Sequence, residues 1–472
     1  MQKLPYDDGD IASILAYASK LQGKRVADLL DESHQNIEIK NKGIIGNVIE
    51  ECYFKIKQNS SPLPDFEKVG VELKIIPLVQ QSKKIAVKER TKVCSIHYPS
   101  LIQEEWATSH AKRKLNKILF IYYLYDKQSI ENSLIKKVAL WELDKDKSAL
   151  IISNDWLGVQ EKIVKGYAHL LSEKDFKILS PSRSGSGGKD KNGIEKDLVA
   201  QPNTTHAPKA LKRAFSLKQS FTNQIWNALN LVAYESILEI LQIDKMEEFE
   251  EKILQQLHLY EGKSIAELSH MFDVAIPKGK NQVATIVKKA IGFKSVHSKI
   301  KEFEQLGIEV KTIKVRREDF MPFEAVSFPT MKLKTFEKET YESGVFREYI
   351  EKILFIPVYS EGESLSEKFL GKSFFWTPSM EEEQQIEKEW TRYQQELLAG
   401  AAKVQKVPNN SKKGYKEVSG FSKESQTESI HMRPHGRDSQ DRDEDSFGNT
   451  IVKQCFWLNK KFLQKLLLKE QK

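Results

Sequence analysis

Asp65–Ile76 reads DFEKVGVELKII, and Glu302–Ile313 reads EFEQLGIEVKTI, with six of the twelve positions identical. In the first stretch Val71, Leu73 and Ile75 alternate with Glu72 and Lys74, so the pattern predicts a strand with one apolar and one charged face. Other segments return in the same order at almost the same spacing. KILFI occurs at Lys117–Ile121 and at Lys352–Ile356; Trp141 pairs with Trp376, and Asp155-Trp156 with Glu389-Trp390. Phe215, Leu217 and Phe221 return as Phe456, Leu458 and Phe462. Five ordered anchors at nearly one offset describe two copies of a single domain-sized unit, not a short-period solenoid. We therefore expect domains at residues 1–228 and 229–472.

Within one copy, apolar spacing predicts helices over 11–30, 47–57 and 155–171, and buried strands over 118–125 and 138–143. The fold class is thus α/β (α+β), two tandem domains, each a mixed central sheet flanked by helices. Two polar stretches, 180–206 and 408–449, occupy matching places and read as loops, with a substrate-binding role as one reading and a plain surface insertion as the other.

Composition narrows the class further. The chain has 472 residues, 40% hydrophobic, with 74 Lys+Arg against 66 Asp+Glu. That is enough apolar material for large cores and only a modest positive excess, so local clustering has to decide on a nucleic-acid partner. Cys52, Cys94 and Cys455 lie far apart, which disfavours a disulfide scaffold or a cysteine zinc site. His431 and His435 flank Pro434 and read as a loop, not a ligand-bearing helix. No secretory signal or membrane span is expected, and the reading is a cytoplasmic protein with no membrane partner.

The charged strand face carries the chemistry. Glu72 and Lys74, two apart on a strand, project from one side, and Asp65 sits just before it. Two carboxylates can hold Mg²⁺, which takes oxygen ligands and activates water for phosphodiester hydrolysis. The lysine adds positive charge at the transition state. An acid, six residues, an acid, one residue and a base recur by chance about once or twice in a chain this charged, and a solvated strand face is the plain alternative. Context strengthens the catalytic reading. Lys42–Gly46 leads into a helix bearing Glu50 and Glu51, and nine Lys/Arg fall between Pro77 and Lys117, among them Lys83, Lys84, Lys112, Arg113 and Lys114. Such a run suits DNA phosphates.

Together KGIIGNVIE (Lys42–Glu50), DFEKVGVELKIIP (Asp65–Pro77), EWATSHAKRKLNKILFI (Glu105–Ile121) and AFSLKQSF (Ala214–Phe221) resemble the MutH mismatch-repair endonucleases and their Sau 3AI-type restriction relatives, within the PD-(D/E)xK nucleases. The resemblance implies restriction-endonuclease-like domains. It implies Asp65, Glu72 and Glu50 as metal ligands and Lys74 and Lys114 as further catalytic residues. It also implies DNA contacts from Lys112, Arg113, Arg183, Ser216 and Arg433. Ser216 stands where the family places a methyl-sensing tyrosine, which suggests cutting of GATC regardless of adenine methylation. In the second copy Glu302 replaces Asp65, Tyr349 replaces Lys114, and no acid lies between Val274 and Lys301. The implied function is a Mg²⁺-dependent type II restriction endonuclease. Its rear domain is an effector, and the chain is a monomer that associates with a second copy on double-stranded DNA. A strand-nicking repair endonuclease and a non-catalytic DNA-binding regulator are the alternatives.

Overall fold

The computed structural model describes residues 4–30, 43–56, 62–80, 85–185, 191, 195–202, 207–275, 282–362, 364–408 and 415–470. Lys42, Lys83 and Lys84, and parts of the two polar stretches, lie outside the described residues. The chain divides into two compact units: 1–238 with 244–246 and 298–306, and 239–243 with 247–297 and 307–472.

In the first unit the Glu72–Gln80 strand lies parallel to Lys117–Leu124, with Glu72 opposite Ile118 and Lys74 opposite Phe120. Ile85–Val87 and Leu134–Glu142 extend this sheet antiparallel on either side. Lys117–Leu124 is buried almost throughout, as a central strand flanked on both sides must be. The Ser148–Val164 helix packs Trp156 and Val159 inward. A second, antiparallel sheet joins Thr91–Ser95, Arg213–Leu217 and Leu179–Arg183.

The second unit repeats the plan. Ile308–Val315 lies parallel to Lys352–Ser360, with Glu309 opposite Ile353 and Lys311 opposite Phe355. Gln454–Leu458 pairs antiparallel with both Val326–Ser327 and Ile430–Pro434. The repeat also reaches the amino-terminal helices, beyond the five anchors. Ile14–Leu30 and Ile253–Ser269 share six identities at one offset, among them Gly23/Gly262 and Lys24/Lys263. Both glycines have positive φ, +84° and +78°, a backbone turn that a side chain disfavours. Both loops dock by the same two bonds: Gly23 N–H to Ile135 O with Ile135 N–H to Lys24 O, and Gly262 N–H to Leu370 O with Leu370 N–H to Lys263 O.

Several expectations change. The helix expected over 11–30 stops at Ser19, because the Gly23 turn follows; a short 3₁₀ segment covers Val26–Leu29. The helix expected over 47–57 is α from Gly43 to Asn47 and continues as a π-turn over Val48–Tyr53. The polar stretches are not loops throughout. They contain the Leu179–Arg183 and Ile430–Pro434 strands, whose small and polar residues hide their period while their backbones bond Arg213–Leu217 and Gln454–Leu458.

One acid per unit fixes these late strands. Asp155 is buried and accepts N–H bonds from Lys177, Ile178 and Leu179 at 2.9, 2.6 and 2.8 Å. Glu389 accepts from Glu428, Ser429 and Ile430 at 2.6, 3.0 and 2.9 Å. The helix-borne carboxylates satisfy three backbone donors each at the point where the chain enters the small sheet.

Candidate active site in the first unit

Parallel pairing with a buried strand holds Glu72–Gln80 straight, and the alternation turns Glu72 and Lys74 to one side. The Lys74 ammonium donates to Glu72 Oε1 at 2.6 Å. The helix His110–Leu115 begins at Ser109, whose hydroxyl accepts the Lys112 N–H at 3.0 Å. It ends by bringing the Lys114 ammonium to both Glu72 oxygens, at 3.1 and 2.9 Å, and to the Leu63 carbonyl at 3.2 Å. Glu72 is only 2% exposed, so its charge is offset by two ammonium groups rather than by water. Asp65 Oδ2 accepts the Leu73 N–H at 2.9 Å, which seats this acid against the same strand one residue from Glu72.

Glu50, on the π-turn, completes the group. Its carboxyl is pushed up to about 7, first by burial and next by the charge of Asp65, with Glu72 adding to the rise and Lys74 opposing it. Asp65 is also raised, by burial and then by Glu72. The three acids therefore sit close enough to repel one another in a poorly solvated place. A divalent cation relieves that arrangement, and its hard-oxygen preference fits three carboxylates. Among the described residues no three His, Cys, Asp or Glu side chains already converge as a ligand set.

The residues expected to meet DNA are dispersed in character. Lys112 is half-buried and Arg113 exposed on the helix that carries Lys114. Arg183 pairs with Glu195 at 2.5 Å. Ser216 is 1% exposed, its hydroxyl 2.6 Å from that of Ser182 and its carbonyl accepting from Ser180, so it presents nothing to a groove. In the second unit the exposed Arg433 guanidinium lies 3.7 Å over the Trp457 ring. Strand register matches Trp457 to Ser216 and Arg433 to Ser182, so a cation–aromatic platform stands where the first unit has buried hydroxyls.

The second copy of the motif is incomplete. Glu302 is 1% exposed and belongs to the first unit, where it accepts from the Ser236 hydroxyl at 2.5 Å and the Ile237 N–H at 2.7 Å. Lys311 lies 3.3 Å from Glu309, donates to the Ser327 carbonyl at 3.3 Å and covers the Phe328 ring. Tyr349 takes the place of Lys114 on the helix Val345–Ile350 and stacks on Phe328.

Residues 54–155 and 292–389 match the model of the family described as the DNA mismatch repair enzyme MutH. Fold and site together define a chain of two tandem MutH-like domains. Across 95% of its length the chain is 28% identical to the type II restriction enzyme Sau3AI of Staphylococcus aureus, covering 96% of that protein. The DNA mismatch repair protein MutH of Vibrio vulnificus is 28% identical over 48% of this chain and 96% of its own. The MutH of Actinobacillus pleuropneumoniae serotype 3 is 27% identical over 34% of this chain and 73% of its own.

Proposed function

We propose that this chain is a restriction endonuclease, a site-specific deoxyribonuclease that hydrolyses both strands of duplex DNA at GATC with Mg²⁺. The first domain, 1–228, cuts, and the second, 229–472, binds DNA as an effector. The observation that carries this reading is Glu72 held between Lys74 and Lys114, with Asp65 bonded to the same strand and Glu50 within reach of its charge, in one unit only. Asp65, Glu72 and Glu50 would hold Mg²⁺, which supplies an acidified water and neutralises phosphate charge when bound. Lys74 and Lys114 orient the Glu72 carboxylate and place positive charge beside the phosphate as it gains negative charge. Lys112, Arg113, Arg183 and Arg433 offer phosphate or base contacts. GATC is palindromic and each chain has one complete site, so a monomer that pairs with a second copy on DNA accounts for double-strand cutting.

Digestion of plasmids with and without adenine methylation, followed by sequencing of the ends, tests this. Equal cutting of both at GATC is expected. No Mg²⁺-dependent cutting, or ends at another sequence, overturns the assignment.

A second expectation concerns pH. A protonated Glu50 cannot ligate a cation, and its value near 7 means that metal affinity should rise roughly tenfold from pH 6 to pH 8. The sign for folding is opposite in the metal-free chain: stability that Glu50 contributes below the ordinary carboxyl range is lost as pH climbs to about 7. The Mg²⁺ concentration for half-maximal cutting, measured at each pH, should fall in wild type and stay flat in Glu50→Gln. An equally steep fall in the variant refutes the role.

A further inference from the structure

The three acids of the first site stand on separate pieces of chain: Glu50 on the Val48–Tyr53 turn, Asp65 ahead of the Glu72–Gln80 strand, and Glu72 on it. Asp65 is tied to the strand through the Leu73 N–H, and Glu72 is held by two lysines. Glu50 arrives from a different segment, so its place depends on what fixes the end of that turn.

Tyr6 fixes it from two sides. Its hydroxyl donates to the Phe54 carbonyl at 2.7 Å, satisfying one of the acceptors left over where the turn ends. Its ring meets Phe54 edge-on at 5.9 Å and Phe66, the neighbour of Asp65, at 6.0 Å, while Phe54 and Phe66 meet each other at 5.4 Å. Each of the three rings touches the other two, and all three are buried in one core. Such edge-to-face contacts favour one mutual geometry, so the triangle sets the separation of the Glu50 and Asp65 segments. Asp8, two residues on, pairs with Lys68 at 2.7 Å, which ties the same amino-terminal stretch to the turn after Asp65. The hydroxyl stays a neutral donor, because burial pushes it up to about 12 and the charge of Asp8 adds to the rise.

The second copy gives an independent comparison. Phe54 and Phe66 return as Phe293 and Phe303, but at the offset that matches Gly23 to Gly262, Tyr6 falls on the exposed Lys245. The copy with no acid to match Glu50 is also the copy without this hydroxyl.

We propose that Tyr6 is a positioning residue for the cation, setting Glu50 against Asp65 through the Phe54 carbonyl and the Phe54–Phe66 ring pair. This rests on the Mg²⁺-dependent nuclease reading above and adds to it a residue that serves the metal only through others.

The test is Tyr6→Phe, which keeps the ring and removes the hydroxyl. Mg²⁺ binding is measured by calorimetry on the full-length chain bound to a GATC duplex made uncleavable at the scissile linkage. Single-turnover cutting of the ordinary duplex is followed in parallel across Mg²⁺ concentrations. Thermal melts set the assay temperature below the transition of every variant. Tyr6→Phe should raise both the Mg²⁺ dissociation constant and the Mg²⁺ concentration for half-maximal cutting about tenfold. Its rate at saturating Mg²⁺ should stay within about threefold of wild type. Glu50→Gln and the Tyr6→Phe/Glu50→Gln double variant should match, because a residue acting through Glu50 then has nothing left to position. Tyr122→Phe is the control: it removes another buried hydroxyl bond of the same unit, to the Thr222 carbonyl at 3.1 Å, and should leave the Mg²⁺ dependence unmoved. An unchanged Mg²⁺ affinity in Tyr6→Phe overturns the proposal. So does an equal shift in Tyr122→Phe, or a double variant whose losses multiply. Wild type that neither binds Mg²⁺ nor cuts sinks the nuclease reading and this proposal with it, whereas wild type that cuts beside an unmoved Tyr6→Phe sinks the tyrosine's role alone.

Discussion

Asp65→Ala should lower the rate of DNA cutting at least a thousandfold while leaving duplex binding within about twofold of wild type. The size follows from the role: a ligand that holds the metal and its water acts at the transition state, and a loss of about 4 kcal/mol there is about a thousandfold. The fold should tolerate the change, because Asp65 gives up a single bond to the Leu73 N–H at the edge of the site. Removing one of several crowding carboxylates also eases the repulsion that raises Glu50. Single-turnover cutting with excess protein separates chemistry from binding. A variant that cuts within tenfold of wild type refutes the site. Glu72→Ala is a poorer test, since it would strand Lys74 and Lys114, both largely buried, without their shared partner.

Asp155→Ala should unfold the first unit at ordinary temperature, and Glu389→Ala should do the same to the second. Each substitution orphans three backbone N–H groups at buried or half-buried positions. Each orphan costs roughly 1–3 kcal/mol, so the sum is comparable to a domain's whole margin of about 5–15 kcal/mol. Thermal melts followed by circular dichroism should show one transition lost or shifted down by more than 10 °C, with the other unit's transition retained. A melt indistinguishable from wild type in either variant contradicts the role. Asparagine or glutamine at these positions keeps an acceptor and should recover part of the loss.

Much of the catalytic group was legible because it is written locally. Glu72 and Lys74 are two apart in an alternating strand, so their shared face follows from the pleat alone, and the repeat of that strand exposed the tandem plan. Lys114 was less so: its meeting with Glu72 depends on a short helix and a parallel strand pair that bring together residues 42 apart. The late strands Leu179–Arg183 and Ile430–Pro434 were missed because they are rich in Ser, Pro, His and Arg and hold one β-branched residue between them, and long-range pairing overrides that weak local preference. Asp155 and Glu389 showed as a matched pair, but their work on backbone groups twenty to forty residues away left no mark in the pattern. Glu302 aligned with Asp65 by position, yet a carboxylate one methylene longer has been drawn to Ser236 and Ile237, an outcome set by tertiary neighbours.

The helix Lys301–Leu306 belongs to the first unit, where Lys301 meets Asp146 at 2.8 Å and Gln305 exchanges bonds with Gln224 and Ser220. A gene truncated after codon 238 would therefore produce a front half with that berth vacant, Asp146 and Gln224 having lost their mates. The seam between the two copies in the sequence is thus not the seam between the two compact units.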